Sequence, residues 1–449
     1  MEGTVLLALS VSVLLVVLST LKSLLVKKPK HNLPPGPWTL PVIGNLHHLI
    51  TGPNIQRVIC RLSQKHGPVM ALQLGELPVM VVSSPQAAQE VMKTHDVSFS
   101  DRHVSATSSA LSFGGNDVAF APYGERWRQL RKICTVELLS AARVLSFRQI
   151  REEEVERFIN DTFVRESIGS RCRYQDEYLS ALDTAFRQTS GLDIVDLFPS
   201  SRLMKVLDLA PRKVLACWNR IQRILEQIIQ ETKEAVDSGN DQVATRTGSE
   251  GLLGVLLRLQ KECSTPIPLD DDTIMAVMFD MFAAGSETSS SRLIWCMTEL
   301  VRNQETMAKA QAEVRESFKG KDTIAEDDVK GLSYLKLVIK EALRLRTPSP
   351  LLSPRKCREP CQVMGYDIPK GTVMDSKYWD DPEEFRPERF ENSDLDYKGT
   401  NYEFLPFGAG RRICPGINLG VSNIELALAS LLYHFDWKLP EGIEAKDVD

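Results

Sequence analysis

Cys414 stands near the end of a glycine-rich run, Phe407-Gly408-Ala409-Gly410-Arg411-Arg412-Ile413-Cys414-Pro415-Gly416, which leads straight into an apolar helical stretch. A tight loop emptying into a helix brings unpaired backbone N–H groups and the positive helix end to the sulfur. Both favour charge on it, so the thiol is expected to be held easily as a thiolate. A lone thiolate with arginines just before it suits an anionic macrocycle carrying iron. The sulfur would ligate the metal, and an arginine would pair with a carboxylate on the ring edge. The competing reading is a buried structural cysteine after a turn.

The other cysteines do not offer a rival framework. There are nine in 449 residues, at 60, 134, 172, 217, 263, 296, 357, 361 and 414, with no Cys-x-x-Cys pair. Cys357 and Cys361 are the closest in sequence, and no matching Cys or His cluster completes a zinc site around them. Reduced thiols facing the cytosol are expected. The formal net charge of −5 implies no general affinity for nucleic acid. A length of 449 residues corresponds to about three average domains, yet no low-complexity linker divides the chain.

Gly3 to Leu21 is an uncharged apolar stretch, followed by Lys22, Lys27, Lys28 and Lys30 and preceded by Glu2. As a helix it spans roughly 28 Å, close to the hydrocarbon thickness of a bilayer. The lysines place the remainder of the chain in the cytoplasm. A cleaved signal peptide would need a basic start, a shorter apolar core and a small-residue cleavage site. The expected organisation is a transmembrane anchor over 1–26, a basic, proline-rich linker over 27–45 and one catalytic domain over 46–449. The linker carries Leu33-Pro34-Pro35-Gly36-Pro37, too rich in proline to continue a helix. Val69–Leu74 and Leu77–Val82, separated by Gly75-Glu76, read as a β-hairpin. Val214–Glu234 and Asp271–Arg302 read as long helices. The class is mainly α, with a minor sheet near the N-terminus and after Leu352, plus the N-terminal transmembrane helix.

The Cys414 segment resembles the haem-binding loop of the cytochrome P-450 superfamily. Its pattern, Phe-x-x-Gly-x-Arg-x-Cys-x-Gly, is filled at Phe407, Gly410, Arg412, Cys414 and Gly416. The resemblance extends along the chain. Ala284, Gly285, Glu287 and Thr288 match Ala-Gly-x-Asp/Glu-Thr in the long helix. By this resemblance Thr288, with Glu287, manages proton delivery to dioxygen; the plainer reading is a hydroxyl bonded to its own preceding turn. Glu341 and Arg344 match Glu-x-x-Arg and, with Arg389 of Pro387-Glu388-Arg389-Phe390, would form a buried triad that supports the Cys414 loop. Trp127 and Arg131 share one helix face. With Arg412 and Arg355 they are the implied partners of the haem propionates, and Arg102 is a weaker candidate for the same role. Phe407 belongs to the cofactor loop.

The texture most resembles plant microsomal members of the clan that oxidises specialised metabolites, with Phe99-Ser100-Asp101-Arg102 and Arg358-Glu359-Pro360-Cys361 in support. The resemblance implies haem b with the Cys414 thiolate as axial ligand. It implies a haem-dependent monooxygenase that inserts one oxygen atom from O2 into a small lipophilic substrate, a terpenoid or a phenolic. Candidate pocket segments are His103–Ala121, Phe279–Ala284 and Leu351–Pro354. No flavin or nicotinamide fingerprint is evident, so an NADPH-dependent flavoprotein reductase would supply electrons at the endoplasmic reticulum membrane. The chain departs from the family by looking shortened near 158–165 and 371–378 and at the C-terminus. Those departures keep a truncated relative that binds haem poorly or not at all as an alternative. An isomerase or dehydratase on the same scaffold and a membrane-tethered binding protein without cofactor are further alternatives.

Overall fold

Val69–Leu74 (β1) and Leu77–Val82 (β2) form the expected hairpin, with Leu74 paired to Leu77 across Gly75-Glu76. Gly75 has φ +62°, and a Cβ there would meet the Leu197 carbonyl oxygen at 2.4 Å, so the turn needs glycine. In this computed structural model the described residues are 32–50, 55–158, 175–189, 194–207, 210–237, 251–263, 265–321, 324–349, 351–376, 384–439 and 442–444. The anchor Gly3–Leu21 with its lysines, most of 158–165 and the end of 371–378 lie outside them. Among the described residues no helix is long and apolar enough to cross a membrane.

The chain divides into two units. One comprises 1–106, 191–209 and 350–378; the other comprises 107–190, 210–349 and 379–449. The first unit is built on a five-stranded sheet. Its further strands are Asp101–Arg102 (β3), Arg355–Lys356 (β4) and Val373–Ser376 (β7), in the order β1-β2-β7-β4-β3. Cys361–Val363 (β5) and Tyr366–Ile368 (β6) form a separate antiparallel pair. β2 runs parallel to β7, and its last four residues are all buried, as a strand covered on both faces requires. The proline-rich segment lies along β1: Ala71 N–H donates to the Pro35 carbonyl at 2.8 Å and Asn45 N–H to that of Gln73 at 2.6 Å.

The second unit is helical. Its elements include Glu125–Lys132 (α1), Gln175–Thr189 (α2), Ala210–Asp237 (α3), Asp271–Arg302 (α4), Ser333–Leu345 (α5) and Ile417–His434 (α6). α4 has 32 residues, about 48 Å at 1.5 Å per residue. The Asp270 carboxylate caps it by accepting from the Thr273 N–H at 2.8 Å, and Arg302 ends it. From Thr273 to Asp280 every residue is buried, so the first half of α4 is a core element rather than an amphipathic surface helix. α3 packs on α2, and α4 packs on α3, α5 and α6.

Candidate active site

The loop ahead of α6 is folded by its glycines. Gly408 and Gly410 have φ +72° and +64°, conformations in which a side chain would be strained. They let the chain reverse so that Cys414 N–H donates to the Phe407 carbonyl at 2.9 Å. Gly416 caps α6 immediately after Cys414. The electrostatics correct the sequence expectation of an easily held thiolate. Burial pushes the Cys414 thiol up; the Gly416 N–H and the Arg131 guanidinium pull it down without prevailing. Ionisation of the thiol therefore belongs to the metal, because a coordinating thiol is deprotonated outright.

Across from Cys414 lies the middle of α4. A cavity of about 190 Å³ touches Ala284, Gly285 and Thr288 on one side and Phe407, Cys414 and Gly420 on the other. Cβ atoms built on Gly285 or Gly420 would meet nothing within 4 Å. Thr288 donates its hydroxyl to the Ala284 carbonyl at 2.5 Å. Ser286 and Ser290 bond back to their own preceding turns in the same way, at 2.6 and 2.9 Å. Glu287 is exposed and does not line this cavity. Of the pocket segments read from sequence, Phe279–Ala284 contributes Asp280, Met281, Phe282 and Ala284. Among the described residues His103–Ala121 contributes none, and Leu351–Pro354 belongs to the first unit.

The structure brings Trp127, Arg131 and Arg412 together at this loop. Arg412 lies over the Trp127 ring, 4.2 Å from its centre, and donates to the Val118 carbonyl at 3.2 Å and to that of Ala121. Arg131 donates to the Ile413 carbonyl. Trp127 gives its single N–H to the Val118 carbonyl at 3.0 Å, a partner that helix spacing could not reveal. Arg355 belongs to the first unit, where it pairs with Asp96 at 3.2 Å. Arg102, in the same unit, donates to the Ser353 carbonyl at 2.5 Å.

Glu341, Arg344 and Arg389 meet. Glu341 is fully buried; it accepts from Arg344 Nε at 2.7 Å and Nη2 at 2.9 Å, and from Arg389 Nε at 3.0 Å. It also accepts the Arg386 backbone N–H at 2.9 Å, and both arginines reach the Glu384 carbonyl. The carboxylate thus ties α5 to the segment 384–390.

Sequence reasoning missed a pair of buried carboxylates. Asp280, on α4 and at the cavity, accepts the Val118 N–H at 2.7 Å and the Ala119 N–H at 3.3 Å. Asp117 accepts the N–H groups of Phe120 and Ala121 at 3.0 and 2.9 Å. The signal available was an aspartate inside an apolar run, Met278-Phe279-Asp280-Met281. Burial pushes Asp117 up to about 6, against its N–H donors and Arg412, and burial with the Asp117 charge holds Asp280 well above the usual range. A folded carboxyl raised above its unfolded value of 3.8 destabilises the native state as pH climbs from 3.8 through about 6, because the unfolded chain loses its proton first. Asp117→Asn keeps an oxygen for both N–H donors and removes the titration. Its stability relative to the unsubstituted chain is expected to improve by on the order of 1–3 kcal/mol between pH 4 and pH 7. Thermal midpoints of both chains at the two pH values check this; an equal difference at both would refute it.

A metal at Cys414 must bring most of its own ligands. Among the described residues no group of three or more His, Cys, Asp or Glu could hold a bare ion. A single sulfur, a cavity bordered by the small residues Ala284 and Gly285, and arginines at the loop fit a metal carried in a planar anionic ring. The fold and this arrangement define a haem-thiolate site. A family model described as Cytochrome P450 matches residues 34–168 and 158–449. Dolabradiene monooxygenase and zealexin A1 synthase, both of Zea mays, are each 60% identical over 100% of this chain and 94% of theirs. Ent-cassadiene hydroxylase of Oryza sativa subsp. japonica is 54% identical over 100% of this chain and 93% of its own. The chain belongs to the cytochrome P450 family and is a haem-dependent oxidoreductase. The two matched stretches overlap at 158–168, where the chain reads as compressed. The first of these alignments runs over 483 positions against 449 residues here, so the relative holds residues without a counterpart in this chain.

Proposed function

We propose that this protein is a membrane-anchored monooxygenase that inserts one oxygen atom into a lipophilic terpenoid hydrocarbon. The observation that carries the reading is that Cys414 and Thr288 border one largely apolar cavity. Three relatives are named for acting on a diene: dolabradiene, ent-cassadiene and premnaspirodiene. The apolar side chains of Leu139, Phe147, Met281, Phe282 and Leu419 around this space match the apolar character of such a substrate. When bound, the haem activates dioxygen and supplies the oxidising power.

The chain's own residues do the remainder. Cys414 would hold the group from one side, with Arg412, Arg131 and Trp127 around its edge. Ala284 and Gly285 leave room on the opposite side. Thr288 borders the cavity and can accept a hydrogen bond there while its hydroxyl is held by the Ala284 carbonyl; it would relay a proton by turning that hydroxyl from the carbonyl toward the cavity, with Glu287, one residue away and exposed, as the source from solvent. Glu341, Arg344 and Arg389 hold the backbone that leads to the Cys414 loop. Electrons come from an NADPH-dependent flavoprotein reductase. Gly3–Leu21 anchors the chain in the endoplasmic reticulum membrane with the catalytic part facing the cytoplasm.

Co-expression with a plant reductase and a terpene-forming host tests the reading: mono-oxygenated products are expected, dependent on NADPH. Conversion without NADPH would favour an isomerase or dehydratase, and a chain that carries no haem would overturn the reading. Thr288→Ala is expected to lower product formation by on the order of 10² while NADPH consumption continues. Product and cofactor measured in the same assay check it; equal losses in both would remove Thr288 from the proton path.

A further inference from the structure

Cys357 and Cys361 lie at the two ends of a five-residue turn in the first unit, remote in sequence from Cys414. Backbone bonds hold both ends. Cys357 N–H donates to the Thr372 carbonyl at 2.9 Å, and its carbonyl accepts the Gly371 N–H at 2.8 Å. Cys361 opens β5 and pairs with Ile368 of β6. The Cys357 S–H donates to the Glu359 carbonyl at 2.9 Å inside this turn, and the two thiols interact electrostatically.

We propose that Cys357 and Cys361 form a redox-active dithiol that closes to an intramolecular disulfide when the chain meets a hydroperoxide. The two positions differ in the way such a pair needs. Cys357 is 1% exposed, whereas Cys361 is partly exposed and borders a cleft of about 340 Å³ lined by Gln362, Asp367 and Lys370. A small oxidant therefore reaches Cys361 and not its partner. The S–H donated by Cys357 also pulls the Cys361 thiol down, which raises its thiolate fraction. Cys134 and Cys296 are fully buried with thiols pushed up to about 12, and are inert by the same argument.

The chemistry balances with peroxide alone. The Cys361 thiolate attacks one peroxide oxygen; the O–O bond breaks, leaving a sulfenic acid and hydroxide, which takes up a proton to become water. The Cys357 sulfur then displaces the sulfenic hydroxyl. An S–S bond forms, the S–O bond breaks, and the Cys357 proton leaves with the second water. Two thiols lose two electrons, and one hydrogen peroxide becomes two waters. A dithiol reductant reverses the step. The closed ring would enclose Arg358, whose N–H donates to the Ser98 carbonyl at 2.8 Å and whose guanidinium pairs with Asp101 at 3.3 Å. Oxidation would thus act on the tie between this turn and the segment 98–101.

The test uses the full haem-loaded chain, treated with hydrogen peroxide at concentrations that leave its haem absorbance intact. Free thiols are capped with N-ethylmaleimide, the rest reduced and capped with iodoacetamide, and peptides mapped by mass. Capping by maleimide is expected to fall together at Cys357 and Cys361 by at least about tenfold while exposed Cys263 remains cappable, and dithiothreitol restores it. In Cys357→Ser the sulfenic acid at Cys361 should persist and be trapped by dimedone. Both thiols remaining cappable after Cys263 is oxidised, Cys361 passing to sulfinic acid with Cys357 still reduced, or no dimedone adduct at Cys361 in Cys357→Ser would each overturn the proposal.

Discussion

Replacing Cys414 with serine is expected to abolish the thiolate-type carbon monoxide difference band and all oxygenation, while the helical unit still folds. The argument rests on donor chemistry and on position. Among the described residues no acidic, histidine or cysteine cluster offers a substitute set of ligands. A serine hydroxyl is a poor donor to iron at neutral pH and does not push electron density as sulfur does. Burial that already raises the Cys414 thiol would oppose an alkoxide far more strongly. The backbone needs little from the side chain, since the loop is closed by the Cys414 N–H on the Phe407 carbonyl and by the glycines at 408 and 410. Circular dichroism alongside the carbon monoxide spectrum separates the two effects. A retained thiolate-type band in Cys414→Ser would show that another sulfur ligates the iron, and lost helicity would give the cysteine a folding role instead.

Glu341→Ala is expected to remove about 3–5 kcal/mol of stability, a large part of the 5–15 kcal/mol of a typical domain. Glu341 has no exposed surface, and Arg344 beside it is 6% exposed. The carboxylate accepts four hydrogen bonds, from Arg344 twice, from Arg389 and from the Arg386 backbone. Its removal leaves a buried guanidinium without a counter-ion and frees the 384–390 segment from α5. The loss should appear as low soluble yield and a lowered thermal midpoint before any change in turnover by surviving enzyme. Replacing Glu341 and Arg344 together by apolar residues of matching volume should cost less than Glu341→Ala alone, because no charge is then left unpaired. A thermal midpoint unchanged in Glu341→Ala would remove the triad from the stability argument. Loss of haem with unchanged midpoint would instead make it a cofactor-loading device.

Much of the molecule was legible locally. The β1–β2 hairpin follows from two apolar runs around Gly75-Glu76, and the length of α4 from its apolar run between Asp270 and Arg302. The Glu341–Arg344 contact follows from i, i+3 spacing on α5. What escaped were partnerships between distant segments. Asp280 meets the 117–121 loop across more than 160 residues, and nothing in Met278-Phe279-Asp280-Met281 states which N–H groups satisfy it. Trp127 and Arg131 share a helix face as spacing requires, yet the indole N–H goes to Val118. Arg355 lies in the other unit, paired with Asp96. The sheet order, with β2 beside β7 in parallel, joins strands separated by most of the chain.

By itself the sequence pointed to Cys414 as the donor, to the glycine-rich loop that presents it, to the long helix with its hydroxyl and to the Glu341–Arg344 pair. These depend on residue type at short spacing, where backbone geometry leaves little freedom. Only the tertiary structure decided which buried polar groups meet and how the surroundings tune them. The Cys414 thiol shows why. Loop and helix end argued for an easy thiolate, but desolvation depends on everything packed around the sulfur, and burial outweighs the local N–H groups. Solvation is a property of the folded whole, so no window of sequence carries it.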